Sequence, residues 1–496
     1  MLRNPVRTAV AALIAMSALS GCTLEPHYKR PDLPVPEQWP LPENSTPMPS
    51  ADAGATGASQ TSVWEIGWRE FFTDPQLQQL IAQALANNRD VRVAVLNVEL
   101  ARAQYHVQRA NLLPKVDANG SYTREKIPPA LAFGTQLPPG TTIPLEKIYQ
   151  VGVGVSSWEI DLFGRVRSQS HAALQQYLAQ EQARRSAQLS LIAQVAGAYL
   201  TLAADRELDR LALETLKGQE ASYDLTRQRH ESGAVSGLDL AQARTTVEQA
   251  RVDAARFEGN VAQDVDALAL LIGGAVDAGT LPRELDANIT GLAPLPPALP
   301  STVLLRRPDI LQAEHQLRAA NADIGAARAA FFPSINLTGA IGSASESLSG
   351  LFKAGAYTWQ LVPSATLPIF HGGALLGNLS AARTQQKIAL AQYEKAIQSG
   401  FRDVADALAL TASIDRQHRA QQGLVEATSQ AYELSQQRYK TGADSYLTLL
   451  DAQQRYYAAQ QGLISTRLAE QSNRVTLYKA LGGGWQEHSG QTASNH

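Results

Sequence analysis

Proline is absent from two long stretches of this 496-residue chain: none lies between Pro144 and Pro282, and none follows Pro368. Proline lacks a backbone N–H and its ring collides with the preceding turn, so a long helix must exclude it. Inside the first gap Leu189, Ile192, Ala196, Tyr199 and Ala203 follow one another at spacings of three and four. Inside the second, Ile397, Phe401, Val404 and Leu408 do the same. This is the seam of packed, coiled helices. From Val166 to about Glu231 the pattern predicts one helix of about 65 residues, or about 100 Å at 1.5 Å per residue. Helices of ordinary globular domains average about 11–12 residues. A plain coiled-coil rod would satisfy this periodicity equally well.

The plan occurs twice. At an offset of 219, Asp90, Ala101, Ala103, Ala110, Pro114 and Gly120 meet identical residues at Asp309, Ala320, Ala322, Ala329, Pro333 and Gly339. At an offset of 209, Arg229, Gly233, Ala234, Ser236, Leu238 and Ala243 meet Arg438, Gly442, Ala443, Ser445, Leu447 and Ala452, and Gly273 meets Gly482. The change of offset places about ten extra residues in the first copy, most simply in the proline-rich stretch Ile127 to Leu145, since repeats tolerate insertions in loops. Each copy reads helix, strand, loop, strand, very long helix, tight turn, helix. The expected organisation is an N-terminal leader over 1–21, an anchor and linking segment over 22–71, a first repeat over 72–282, a linker over 283–301, a second repeat over 302–484 and a flexible tail over 485–496.

Between the helices lie four runs of about ten residues with period two. Val116, Ala118 and Tyr122 alternate with Asp117, Asn119, Ser121 and Thr123; Tyr149, Val151, Val153 and Val155 alternate with Gln150, Gly152, Gly154 and Ser156. Ile335, Leu337 and Ile341, then Tyr357, Trp359, Leu361, Ala365, Leu367 and Ile369, repeat the pattern. One face is apolar and the other small or polar, as in membrane barrel strands; a half-buried soluble sheet alternates in the same way. Beyond the N-terminus no run of 18 or more apolar residues remains, so a spanning region would have to be built from strands. In lipid every backbone polar group must be paired, which forces the sheet to close. Four strands cannot close, because barrels begin at about eight. Two copies would supply eight strands around a filled interior and three would supply twelve, so a conducting assembly favours three.

The N-terminus is an address. Arg3 and Arg7 precede the apolar run Val10 to Leu19, which is followed by Ser20, Gly21 and Cys22, the only cysteine. A basic start, a short apolar core and small residues before the cut form an export signal. A thiol directly after them is the pattern of a lipoprotein, so the mature chain is expected to begin at an acylated Cys22. Composition excludes other classes. The formal net charge of −3 leaves no basic face for nucleic acid. A single cysteine rules out an internal disulfide framework. The phosphate-loop, HExxH and GxSxG motifs are absent, and the histidines show no metal-ligand spacing; His106, His171 and His230 read as solvated surface on helices. Neither enzymatic activity, a metal site nor a cofactor beyond the lipid is expected.

Gly21-Cys22, Gly67-Trp68-Arg69-Glu70-Phe71-Phe72, Trp158-Glu159-Ile160-Asp161-Leu162-Phe163-Gly164, Arg306-Arg307-Pro308-Asp309-Ile310, Ala329-Ala330-Phe331-Phe332-Pro333 and Tyr446-Leu447-Thr448-Leu449-Leu450-Asp451-Ala452-Gln453 together resemble the TolC family of outer membrane efflux proteins. The likeness is to the lipoprotein subgroup serving resistance-nodulation-division (RND) multidrug pumps. The resemblance implies an α+β membrane protein whose two-repeat protomer trimerises into a 12-stranded β-barrel, continued by a periplasmic α-helical barrel. It implies an equatorial belt, with Pro31 to Ser62, Glu284 to Ser301 and the chain end after Trp485 as candidates. It also implies outer-membrane localisation, and by likeness to Gram-negative lipoproteins Thr23, rather than Asp, after the acylated residue agrees with that. The implied function is a passive exit duct for drugs or other small toxic compounds, fed by an inner-membrane RND-type pump through a periplasmic adaptor. A duct for metal ions or polypeptides, and a periplasmic coiled-coil lipoprotein without a pore, are the other readings.

By the same resemblance Asp451 matches a constriction carboxylate and Leu447 an apolar ring one helical turn earlier, while Tyr439 and Asp239 match a phenol–carboxylate pair that holds the tip shut. Gly233, Ser236, Gly442 and Ser445 mark two tips at which the adaptor would dock. Two departures stand out: Asp444 occupies the place of a tip arginine, and Gln454 that of a basic residue after the ring carboxylate, which implies fewer ionic links. Asp239 and Asp451 also suit helix starts, where the helix dipole favours a carboxylate, and glycine suits any tight turn.

Overall fold

A computed structural model describes residues 23–40, 66–126, 145–285, 289 and 300–489. Cys22 and most of the proline-rich insertion lie outside them, as do parts of the expected belt segments. The chain divides into two compact units, one formed by 1–31, 98–179 and 313–392 and the other by 32–97, 180–312 and 393–496.

In chain order the elements are α1 (Trp68–Phe71), α2 (Pro75–Asn87), α3 (Arg89–Ala110), β1 (Val116–Glu125), β2 (Glu146–Ile160), α4 (Arg165–Glu231), α5 (Gly237–Ile272), α6 (Pro308–Ala329), β3 (Ser334–Ser345), β4 (Tyr357–Thr366), α7 (Ala374–Lys440) and α8 (Tyr446–Ala480). The two offsets reappear as element bounds. Helices α3 and α6 are both 22 residues long and 219 apart; α4 and α7 are both 67 residues long and 209 apart.

In the first unit the strands form one antiparallel sheet in the order β1-β2-β3-β4. The register assembles the apolar sets on one face. Val153 sits opposite both Ala118 and Ile341, and Ile341 opposite Trp359. Tyr122 faces Tyr149 with ring centroids 4.6 Å apart. Val153, Ile341, Trp359 and Leu361 are exposed. The Gly152-x-Gly154 pair has a steric cause beyond a small lumen-facing surface. Gly152 is paired with Gly342, and a Cβ at Gly342 would lie 2.2 Å from the Val151 carbonyl oxygen. β2 carries a bulge between Val155 and Trp158, where Ser157 adopts φ 51° and donates its N–H to Thr338 Oγ1 at 3.2 Å. β4 ends at Thr366, so Leu367 and Ile369 fall beyond the strand; Pro368 would leave the ladder without a donor there.

The junction motifs fasten sheet to helix. Glu159 pairs with Arg165, Asp161 accepts the Arg167 N–H at 2.8 Å, and Phe163 stacks on Phe332 at 4.8 Å. Residues 23–30 lie along α6. Asn321 donates to the Pro26 carbonyl at 2.8 Å and Arg328 to that of Leu24 at 3.2 Å, while buried Glu314 accepts from Arg30 at 2.8 Å, Arg318 at 2.6 Å and Tyr28 at 3.2 Å. His171 is exposed on its helix, as the sequence suggested, and also finds an acidic partner. His171 Nδ1 lies 2.9 Å from Glu25, which holds the imidazole above its usual pKa.

In the second unit Trp68, Phe71 and Phe72 are buried and Phe71 stacks on Tyr478 at 3.8 Å. Arg307, 8% exposed, grips Asp309 at 2.8 Å and donates to the Ala480 carbonyl at 2.7 Å. A cation thus closes the C-terminal end of α8, where free carbonyls favour one. Trp39 stacks on Phe401 at 4.3 Å. The start of the expected flexible tail is tied down: Gln486 accepts from the Trp68 N–H at 3.0 Å and Glu487 pairs with Arg69 at 2.7 Å. An apolar stretch of α4 is long enough to cross a membrane by length and composition, but more than half of it is buried against the protein, as a helical seam requires.

Candidate functional site: the helical tips

Helix α4 turns into α5 through Gly233 at φ 74°, and α7 into α8 through Gly442 at φ 76°. This left-handed backbone is cheapest for glycine. In both turns the next N–H reaches back: Ala234 to the Arg229 carbonyl at 2.7 Å and Ala443 to that of Arg438 at 2.9 Å. These bonds satisfy carbonyls that a helix end would strand. Ser236 and Ser445 are the N-caps of the return helices. The four docking residues expected from the sequence therefore share one geometry in two copies.

Asp239 completes a capping box. Its carboxylate accepts from the Ser236 N–H at 3.0 Å and hydroxyl at 2.7 Å, while its own N–H donates to Ser236 Oγ at 3.1 Å. Among the described residues no hydrogen bond joins Asp239 to Tyr439, whose hydroxyl is buried without a partner. The Tyr439 ring lies 5.6 Å from that of Tyr446 and takes the Arg229 guanidinium over its face at 5.5 Å. Ala243, Tyr446 and Leu449 form a buried cluster, with Tyr223, Tyr432, Tyr439 and Leu450 packed against it.

Leu447 and Asp451 stand four residues apart on α8, hence on one face, and both are exposed. Asp451 pairs with Arg455 at 2.9 Å. Arg455 is a cation one residue past Gln454, so the basic partner that Gln454 fails to supply is present after all; the i,i+4 spacing was the available signal. Asp444 likewise makes an ionic link instead of losing one. It receives Arg438 in a two-pronged pair at 2.6 and 2.9 Å, which depresses its pKa. His230 is exposed on the helix surface, as expected, with its Nδ1 3.0 Å from the Val235 carbonyl oxygen.

Higher on the same helices, Asp205 of α4 and Asp264 of α5 face one another. Burial, then the Asp205 charge, pushes Asp264 up to about 6. Burial also raises Asp205 and Asp209, the latter with help from Glu258.

A model of the family described as outer membrane efflux protein matches residues 80–274 and 299–483. The chain belongs to this family. Among its relatives are the toluene efflux pump outer membrane protein TtgC and the antibiotic efflux pump outer membrane protein ArpC, both of Pseudomonas putida. Each is 48% identical over 492 residues, covering 99% of this chain and 98% of the relative. The MtrE outer membrane channel of Neisseria gonorrhoeae, solved in its open state, superposes with a TM-score of 0.82 at 40% identity, covering 95% of this chain and all of that one. This member of the outer membrane efflux family is thus an outer-membrane exit channel with the expected α+β fold: two repeats, long helices and, among the described residues, four strands. Its family comprises efflux channels rather than enzymes.

Proposed function

We propose that three copies close a 12-stranded barrel in the outer membrane, and that this duct passively carries drugs or other small toxic compounds outward from an RND-type pump joined by a periplasmic adaptor. The observation that carries this reading is the pair of free sheet edges. Among the described residues β1 pairs only with β2 and β4 only with β3, while the apolar face of the sheet is exposed. Unpaired edges cannot stand in lipid, and four strands from each of three copies remove them all. A ten-residue strand spans about 33 Å; tilted by about 40° it covers the ~25 Å apolar band of such barrels. The antibiotic and solvent named for the two relatives support small, largely apolar cargo.

In this reading Leu447 and Asp451 form successive rings of three where the helical tips narrow. A carboxylate ring draws cations and repels anions. Tyr439 and Asp239 stiffen the tips around them, and Gly233, Ser236, Gly442 and Ser445 present the surface on which the adaptor seats. Cys22 carries the lipid, with more than one acyl chain giving stable anchoring where a single chain is marginal. Conductance tests the duct. Purified protein in planar bilayers should insert as discrete cation-favouring steps; membranes that take up protein and stay insulating would contradict it. Replacing Cys22 by Ser should abolish labelling by radioactive fatty acid, and persistent labelling would refute the anchor.

A further inference from the structure

The two hairpins, α4–α5 and α7–α8, follow one plan at an offset of 209, and at Tyr446 the second departs from the first. Where α5 starts with Gly237, α8 starts with Tyr446. The next position is matched: Leu238 and Leu447 are both exposed, at 67% and 59%. Tyr446 is only 4% exposed. Beside Tyr439 of its own hairpin, it reaches across to pack on Ala243 of α5, with its phenol facing the Thr246 and Ser222 hydroxyls and Asp239 beyond. Within each hairpin the helices are tied by the glycine turn, so the seam that can part at least cost is the one between hairpins. Tyr446 is a large side chain buried across that seam, and exposing a tyrosine ring forfeits much of its burial energy.

We propose that Tyr446 is the bolt of the tip gate: it holds the second hairpin against the first, and the constriction at Leu447 and Asp451 widens when it withdraws. Leu447 and Asp451 shape the aperture; Tyr446 positions the helix that bears them. The inference rests on the gate reading given above. Ring burial, more than the hydroxyl, supplies the hold, so Tyr446→Phe should stay near the parent while Tyr446→Ala shifts the closed-to-open ratio by about tenfold or more.

The test uses the full-length protein in planar bilayers, each variant first shown to give the heat-resistant oligomer on a gel. Tyr446→Ala should raise time-averaged conductance by about tenfold, and Tyr446→Phe by less than about twofold. Ala243→Cys with Tyr446→Cys, a gentler change, should conduct freely when capped with N-ethylmaleimide and return to the parent level when bridged by a short bismaleimide. Parent-like conductance in assembled Tyr446→Ala, or no difference between capped and bridged thiols, overturns the bolt. Asp451→Ala separates the two readings. If it changes conductance while the Tyr446 variants do not, the gate stands without this bolt; if none of them does, the tip is not the gate.

Discussion

A hydrogen atom is all that fits at Gly342. A methyl group there would meet the Val151 carbonyl oxygen at 2.2 Å, and at Gly152 the Ile341 carbonyl oxygen at 2.8 Å. Gly342→Val should therefore open the β2–β3 ladder in the middle of the sheet, and the expected result is loss of the heat-resistant oligomer on a gel. The sequence showed small residues at these sites, but alternation cannot tell a small face from a close approach. Charge was legible in kind and not in partner. Asp239 and Asp451 could be placed near helix starts, yet the capping box of Asp239 and the Asp451–Arg455 pair depend on rotamers that spacing leaves open. The Asp205–Asp264 pair lies far along the two arms of the α4–α5 hairpin, so no short-range pattern shows it. It carries a pH dependence. The pKa of Asp264 is raised to about 6, from 3.8 when unperturbed, so the folded state binds the extra proton between those limits. Stability falls as pH rises from about 4 to about 6 and recovers on acidification. Asp264→Asn should raise the melting temperature at pH 7, with the gain shrinking towards pH 4; a gain independent of pH would contradict this assignment.

Elements were the most legible level, because each obeys one period. The proline-free gap predicted a helix from Val166 to about Glu231, and α4 runs Arg165–Glu231. The doubled offsets fixed the second copy at the same time. Strand ends were less legible: the alternation ran on to Ile369, whereas β4 stops at Thr366, where the ladder meets Pro368. The turns repay closer reading at this scale. Both use glycine, but the second adds the Arg438–Asp444 pair where the first has Val235. Asp444→Ala should leave the helices intact and loosen only that turn, seen as faster amide hydrogen exchange over residues 438–446 with no change over 229–237. Ser236→Ala should cost the first turn about 1 kcal/mol, the usual worth of an N-cap, read from the same exchange experiment as faster exchange at the start of α5.

At the scale of the whole molecule one chain is an unfinished object. Among the described residues its sheet has two bare edges and an exposed apolar face, and long helices carry exposed Leu213, Leu225, Leu410, Leu424 and Leu434. Neither feature is tolerable in isolation, and one operation, closing a ring of copies, removes both. The incompleteness follows from strand count alone, since four strands fall short of a cylinder; the side-by-side order of the strands, which leaves β1 and β4 as the edges, does not. In the proposed reading, passage through the ring depends on the tips. Replacing Asp451 and Tyr439 together should raise ion conductance in planar bilayers, and unchanged conductance would remove both from the gate. The decisive measurement is the mass of the detergent-extracted protein by sedimentation equilibrium, corrected for bound detergent. Three chains per particle is the result expected here, and a stable, fully folded single chain would contradict the account.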